Sequence, residues 1–356
     1  MSGVWGKKVK YSIFGESHGM GIGITIDGLP SGIKLDLEAI VLEMKRRAPG
    51  QDEMSTPRKE KDEFQIMSGY FNQRTTGTPL CAIIWNTDTQ CKDYKELKTV
   101  VRPGHADYTG SVKYSGFNDF RGGGHFSGRL TAPLVFAGAI AKQILKEKGV
   151  EIGSHIYKIA GIYDAPFHKV NINSQLLDTV RQSKFPVIKE NKGSEMISEI
   201  FKAKQEQDSV GGVVECAILN LPAGLGSPFF DSVESSMAHL LFSIPGVKGV
   251  EFGTGFEITG MKGSEANDEF YMEEDKVKTF TNHNGGILGG ITNGMPLIFK
   301  VAFKPTASIG KLQNTIDISK RENTEIRVKG RHDPCIVQRA LPVVEAVAAM
   351  VILDLL

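Results

Sequence analysis

A mixed α+β fold in one compact unit is the architecture this sequence predicts. Strand-like runs are short and numerous, helical patterns are fewer and longer, and the two do not alternate strictly, which disfavours a doubly wound parallel sheet. No Pro/Gly/Ser-rich linker divides the 356 residues, so a single domain over 1–356 is expected where length alone suggests two.

The elements follow in order. Residues 9–14 and 21–27 alternate around a short polar segment and read as strand–turn–strand. Asp36 is placed to cap a helix through Arg47, with Leu37, Ile40, Val41 and Met44 on one face. Residues 64–69 and 80–86 read as strands. Residues 131–148 form the strongest helix: Leu134, Val135, Gly138, Ile144 and Leu145 make an apolar side, and Gly149 supplies the stop. Further helices are expected at 176–182, 195–207 and 232–242, and further strands at 212–220, 249–252, 256–260 and 296–303. A last helix spans 336–355, with a kink at Pro342.

Composition narrows the function. Forty-two basic and 41 acidic residues leave a net charge of +1, which lacks the basic footprint of a general nucleic-acid binder. Cys81, Cys91, Cys216 and Cys335 have neither zinc nor redox spacing and read as free thiols of a reducing compartment. The first ten residues hold three lysines but no apolar run, unlike a signal peptide. The apolar stretch 341–356 is too short to span a bilayer. A cytoplasmic protein with no membrane partner is expected. No metal is expected either, because neither H-E-x-x-H nor a close His/Cys set occurs.

Glycine is the outlier, with 40 residues against an ordinary share of ~7%, and it gathers around histidines. Gly15-Glu16-Ser17-His18-Gly19 formally fits G-x-S-x-G, the elbow of serine hydrolases, but that motif needs a helix after it and several strands before it. A tight turn projecting Ser17 and His18 into a cleft fits better; a merely solvated turn is the plain alternative. P-loop and dinucleotide fingerprints are absent. Gly122-Gly123-Gly124-His125-Phe126-Ser127-Gly128-Arg129 runs into the 131–148 helix, where backbone N–H groups and a helix N-terminus favour an anion. The glycine-rich loop 282–290 and Lys304-Pro305-Thr306-Ala307-Ser308 extend the theme, the latter offering a cation and hydroxyls to a terminal phosphate.

Only 12 of the 42 basic residues are arginines, and Arg46, Arg47, Arg102, Arg121, Arg129, Arg331 and Arg339 lie in or beside these motifs. Guanidinium forks grip phosphate and carboxylate bidentately, so a phosphorylated, carboxylated ligand is indicated. For Arg46-Arg47 alone, a solvated helix end is the competing explanation. His155, His168 and His239 sit in ordinary contexts and read as structural.

Residues 15–32 (GESHGMGIGITIDGLPSG), 122–140 (GGGHFSGRLTAPLVFAGAI) and 331–350 (RHDPCIVQRALPVVEAVAAM) resemble the signature regions of the chorismate synthase family. RPGHADYT, PAGLGSP, KGVEFG, NHNGGILGG and KPTASI resemble further stretches in the family's order. The resemblance implies a β-α-β sandwich, with helices between two antiparallel sheets, assembled as a homotetramer. It implies trans-1,4-elimination of phosphate from 5-enolpyruvylshikimate 3-phosphate to give chorismate, requiring reduced FMN without net redox change; NADPH would serve only as a reductant. His18 then matches the acid for the departing phosphate, and His105 the histidine beside the flavin. Asp333 with Ser17 matches the pair that handles a flavin proton. Flavin contacts carry over to His125, Phe126, Ser127, Gly289, Lys304, Pro305, Thr306, Ala307, Ser308 and Arg331. Arg46, Arg47, Arg102, Arg129 and Arg339 are assigned to the substrate's anionic groups. Many relatives read Arg-Ser-Ser-Ala-Arg where this chain has residues 125–129, Pro245-Gly246 replaces an Asn-Ala of some members, and Glu53 replaces an arginine. Contacts at 125–126 then fall to the backbone.

Overall fold

The computed structural model describes residues 3–50, 54–55, 60–87, 96–330 and 332–356. Its first sheet contains β1 (Val4–Trp5), β2 (Lys10–Gly15), β3 (Gly21–Asp27), β4 (Phe64–Ser68) and β5 (Leu80–Trp85), in the spatial order β1-β2-β3-β5-β4. The second contains β6 (Glu151–Ile159), β7 (Ile162–Tyr163), β8 (Gly212–Leu219), β9 (Val247–Phe252) and β10 (Leu297–Phe303), in the order β9-β10-β8-β6-β7. Every pairing within both sheets is antiparallel.

Between the sheets lie α1 (Leu37–Arg47), α3 (Thr131–Glu147) and α7 (Val337–Leu355); the other α-helices longer than four residues are α2 (Asp107–Lys113), α4 (Ser174–Gln182), α5 (Glu190–Gln205) and α6 (Val233–Leu241). Period-2 alternation turns Ile22, Ile24 and Ile26 of β3 and Val214, Cys216 and Ile218 of β8 onto the helices, and one buried cluster joins both sheets. The fold is thus α+β, a β-α-β sandwich. At the crossing of α3 and α7, a Cβ on Gly138 would stand 2.2 Å from the Ala346 Cβ. Small residues here let two backbones approach to a distance that larger side chains forbid. The outer face of β8 packs Ala217 and Leu219 with Phe167, Leu177 and Ile298, so the second sheet is covered on both sides.

Local chemistry sets the helix ends. The Asp36 carboxylate accepts from the Ala39 N–H at 3.0 Å, which makes it the cap of α1. α3 ends with paired bonds from the Gly149 N–H to the Lys146 carbonyl and from the Val150 N–H to the Leu145 carbonyl, with Gly149 at φ +78°. α7 runs through Pro342 as one helix from 337 to 355.

Two expectations of the sequence fail. Residues 256–260 are not a strand but part of a 3₁₀ turn, Gly255–Gly260. Gly253 and Gly255 both take positive φ, and a Cβ on Gly255 would meet the Glu251 carboxylate at 2.3 Å, so the chain folds back there. The interior strand β6 was not among the expected strands, and the 195–207 helix begins earlier, at Glu190.

Candidate active site

Five segments converge at one end of the sandwich: residues 102–106 before α2, the 121–130 run before α3, residues 242–248 running from α6 into β9, residues 304–308 after β10, and residues 332–336 before α7; the 16–20 turn after β2 packs against the second of them. They enclose a cleft of about 680 Å³ and an adjoining chamber of about 210 Å³, which share Ser127, Gly128, Ile244, Pro245, Asp333 and Ile336 as walls.

Gly122, Gly123 and Gly124 all have positive φ, at +59°, +83° and +52°. This conformation is open to glycine and strained for other residues, and here the missing side chains admit two imidazoles. A Cβ on Gly122 would lie 2.1 Å from His18 Nδ1 and 3.1 Å from Ser17 Oγ; one on Gly123 would lie 3.1 Å from His105 Nε2. The triple glycine therefore gathers His18 and His105 at one wall, although 87 positions of sequence separate them. The Ser17 N–H donates to the Gly124 carbonyl at 3.1 Å, which pins the first turn to this run. Ser17 is fully buried, and its hydroxyl has no hydrogen-bond partner among the described residues; His18 is 7% exposed. Gly122 faces the cleft directly, with His18 standing behind it. The strand–turn–strand expected at Ser17 is present, and β3, not a helix, follows it.

His105 lines the cleft and contacts Asp107 Oδ1 through Nδ1 at 2.7 Å. Asp107 also accepts from Arg102 Nε and Nη2, each at 2.7 Å. Burial would push this carboxyl up, but the Arg102 and His105 bonds hold it well below the usual carboxylate range. Arg102 Nη1 donates to Ser308 Oγ at 3.0 Å. Arg102 thus has its donors directed into the protein framework, which corrects its expected place among the substrate-binding arginines.

The small chamber gathers the other arginines. Arg47 Nη2 pairs with Asp62 Oδ2 at 2.7 Å, Arg129 contacts Asp62 and lies 3.5 Å from Glu60, and Arg339 Nη1 reaches both oxygens of Asp333 at 3.0 and 3.1 Å. Burial, with Arg339 and Arg129 nearby, pulls Arg47 down to about 10 despite Asp62. It remains cationic at neutral pH, in surroundings that would favour an additional anion. Arg46, one residue away, does not belong here. It forms a bidentate pair with the buried Glu345 at 2.8 and 2.9 Å, inside the helix layer, and lines neither cavity.

Residues 304–308 form the opposite wall of the cleft. The Lys304 ammonium contacts the Gly104 carbonyl, and burial with nearby Lys248 lowers its proton affinity. Thr306 Oγ1 donates to the Asp333 carbonyl at 2.8 Å, which ties this loop to the start of α7. Pro305 and Ala307 complete the wall. Asp333 is no helix cap: α7 begins at Val337 without a side-chain cap. His125 Nδ1 donates to the Gly15 carbonyl at 2.9 Å, while Phe126 packs over Gly110 of α2 and both rings border the cleft. Ser127 Oγ accepts from the Arg129 N–H at 3.3 Å. Gly289 belongs to the small hairpin Ile287–Leu288/Ile291–Thr292 and borders neither cavity, contrary to its expected flavin contact. Arg331 lies outside the described residues.

Sequence reasoning gave no role to Asp107, Asp62, Glu60 or Lys248. Asp107 was visible within the Arg102–Asp107 motif; Asp62 and Glu60 were concealed in a charged run that reads as solvated. Among the described residues no cluster of metal-ligating side chains occurs, and no helix is long and apolar enough to cross a membrane.

Comparison with known proteins agrees with the geometry. The family model described as chorismate synthase matches residues 9–356. Chorismate synthase of Dehalococcoides mccartyi is 45% identical over 356 residues, covering 100% of this chain and 96% of that protein. The Thermococcus gammatolerans protein of the same name is 47% identical over 349 residues, covering 98% and 96%. A solved structure described as a crystal structure of chorismate synthase superimposes with a TM-score of 0.77 at 30% identity, covering 99% of this chain and 92% of that one.

Proposed function

This chain belongs to the chorismate synthase family of lyases, and on that premise we propose that it eliminates phosphate from 5-enolpyruvylshikimate 3-phosphate with reduced FMN bound in the cleft. The observation that carries the proposal is the one-sided charge of the site. Lys248, Lys304, Lys329 and three histidines line the larger cavity against the single carboxylate of Asp333, with Arg102 there offset by Asp107, although the whole chain is nearly neutral. A ligand bearing a phosphate and two carboxylates meets that imbalance.

The residues present also fit a flavin mononucleotide. The larger cavity falls in the ~300–1,000 Å³ range of small-molecule sites. Lys304, together with the Ser308 hydroxyl, suits a terminal phosphate. Phe126 and Pro245 offer apolar surface to a flat ring. When bound, reduced FMN would supply transient electron density for the loss of phosphate.

The chain's own residues then do the following. Arg47, Arg129 and Arg339 receive the substrate's anionic groups in the smaller chamber. His18, beside Gly122 of the cleft wall, donates a proton to the departing phosphate. His105, whose Nε2 lies by Gly123 at the cleft wall, would face a flavin bound there. Asp333, oriented by Arg339, accepts and holds a proton, while Ser17, matched to it by the family resemblance, stays in the buried turn beside Gly122. In the overall reaction one C–O bond and one C–H bond break, a second ring double bond forms, and phosphate and a proton depart. The reading also carries a cytoplasmic homotetramer in which NADPH is at most the reductant of the flavin.

The test is an anaerobic assay of phosphate release. Turnover should require reduced FMN, many products should form per flavin, and NADPH should not replace it in the absence of FMN. Full turnover with oxidised FMN, or one flavin oxidised per product, would refute the proposal.

A further inference from the structure

We infer that Asp107, clamped by Arg102, is a positioning residue that fixes which nitrogen of His105 faces the cleft. The relevant contacts all lie on one short segment. Asp107 Oδ1 stands 2.7 Å from His105 Nδ1, while Arg102 approaches the same nitrogen at 3.1 Å through Nη2. Both contacts cannot be hydrogen bonds to Nδ1 at once. A guanidinium has only donors and would need a bare Nδ1, whereas an ionised carboxylate has only lone pairs and needs Nδ1–H.

The geometry decides between them. Arg102 has a shorter and better use for Nη2, at 2.7 Å to Asp107 Oδ1, and its Nε and backbone N–H both donate to Oδ2, at 2.7 and 3.0 Å. Three donors from one residue keep Asp107 an acceptor. Two lone pairs facing each other at 2.7 Å would repel, so the proton sits on His105 Nδ1. Nε2 is then the nitrogen turned to the Gly123 wall, and in the neutral ring it is a proton acceptor there.

The clamp is rigid because it is buried. The side chains of Arg102 and Asp107 are each 5% exposed, and Arg102 Nη1 continues to Ser308 Oγ. The orientation of His105 is therefore tied to the 304–308 loop on the other side of the cleft. An imidazole whose second nitrogen is held by a carboxylate has a defined tautomer and ring plane, which an isolated histidine lacks.

The test reads the tautomer directly, and only its consequence for turnover rests on the proposed function. In the full-length protein with ¹⁵N-labelled histidine, the neutral His105 ring should show Nδ1–H with Nε2 bare. In Asp107→Asn the amide oxygen stays with Arg102 and the NH₂ turns to His105, which forces Nδ1 to accept and moves the proton to Nε2. The variant's phosphate release with reduced FMN and 5-enolpyruvylshikimate 3-phosphate should fall ~10²-fold in kcat with KM little changed. A wild-type ring carrying its neutral proton on Nε2 overturns the inference without any variant. So does an Asp107→Asn protein that folds and keeps the wild-type tautomer. A shifted tautomer with unchanged turnover would instead leave the positioning intact and remove His105 from the proposed chemistry.

Discussion

Replacing Gly122 with alanine should cripple turnover far more than it weakens the fold, because the new methyl group enters the space of His18. The built Cβ lies 2.1 Å from His18 Nδ1 and 2.2 Å from Cε1, overlaps of more than 1 Å against ordinary contact. Holding alanine at φ +59° costs about 1–2 kcal/mol, and overpacking a filled site costs about 1–3 kcal/mol. The imidazole can relieve most of the second cost by rotating, and that rotation removes the proposed acid from the cleft wall. Loss of general acid catalysis is worth ~10²–10⁴-fold in rate. Gly124→Ala differs in kind: its Cβ would meet the Asp119 carbonyl oxygen at 2.0 Å, and backbone cannot rotate aside, so folding itself should suffer. Gly161→Ala, in the turn between β6 and β7 and away from both cavities, has open space and no positive φ and should be close to wild type. Anaerobic turnover and denaturant midpoints for the three variants give the comparison. Wild-type turnover in Gly122→Ala, or equal damage from Gly161→Ala, would refute the reasoning.

Three more outcomes are expected. His18→Ala should fold, bind FMN and lose ~10²–10⁴-fold in turnover; unchanged activity would return His18 to a bystander of the turn. Asp333→Asn keeps shape but not basicity, so turnover should fall by ~10²-fold or more with flavin affinity preserved; weak substrate binding at normal kcat would make Asp333 a partner of Arg339 only. His155 is fully buried between Asp164, at 3.2 Å from Nδ1, and Glu215, at 2.9 Å from Nε2. Burial pushes its affinity for a proton down, but the two carboxylates outweigh burial and hold it above the ordinary histidine value. Its contribution to stability is thus fully present below pH ~6.5 and is lost as pH rises through the folded-state value. Denaturant midpoints should decline across that window in the wild type, and His155→Gln should flatten the slope; an identical slope in the variant would remove His155 as its source.

What could be read from the sequence depended on whether a residue's neighbours were local. The capped α1 and the glycine-stopped α3 were legible because cap, stripe and stop lie within one segment. β6 was not, because Ser154 on its inner face and Gly153 on its outer face stand in place of bulky apolar residues. A Cβ on Gly153 would meet Leu177 of α4 at 2.9 Å, and Ser154 donates to Glu345 of α7 at 2.7 Å. That strand is buried by partners from other helices, and no alternation of its own announces it. The histidines were legible as chemistry, framed by glycine, but their meeting at Gly122 and Gly123 depends on backbone angles that spacing does not encode. The two arginines ending α1 show where a signal was present and unused. Ile40, Met44 and Arg47 are the buried positions of that helix, spaced four and three apart. Arg47 continues the inward stripe to the chamber beside Arg129 and Arg339, whereas Arg46, turned ~100° around the axis, meets Glu345 within the helix layer. Helical phase alone therefore separated the two guanidiniums, and counting both as ligands for the substrate ignored it.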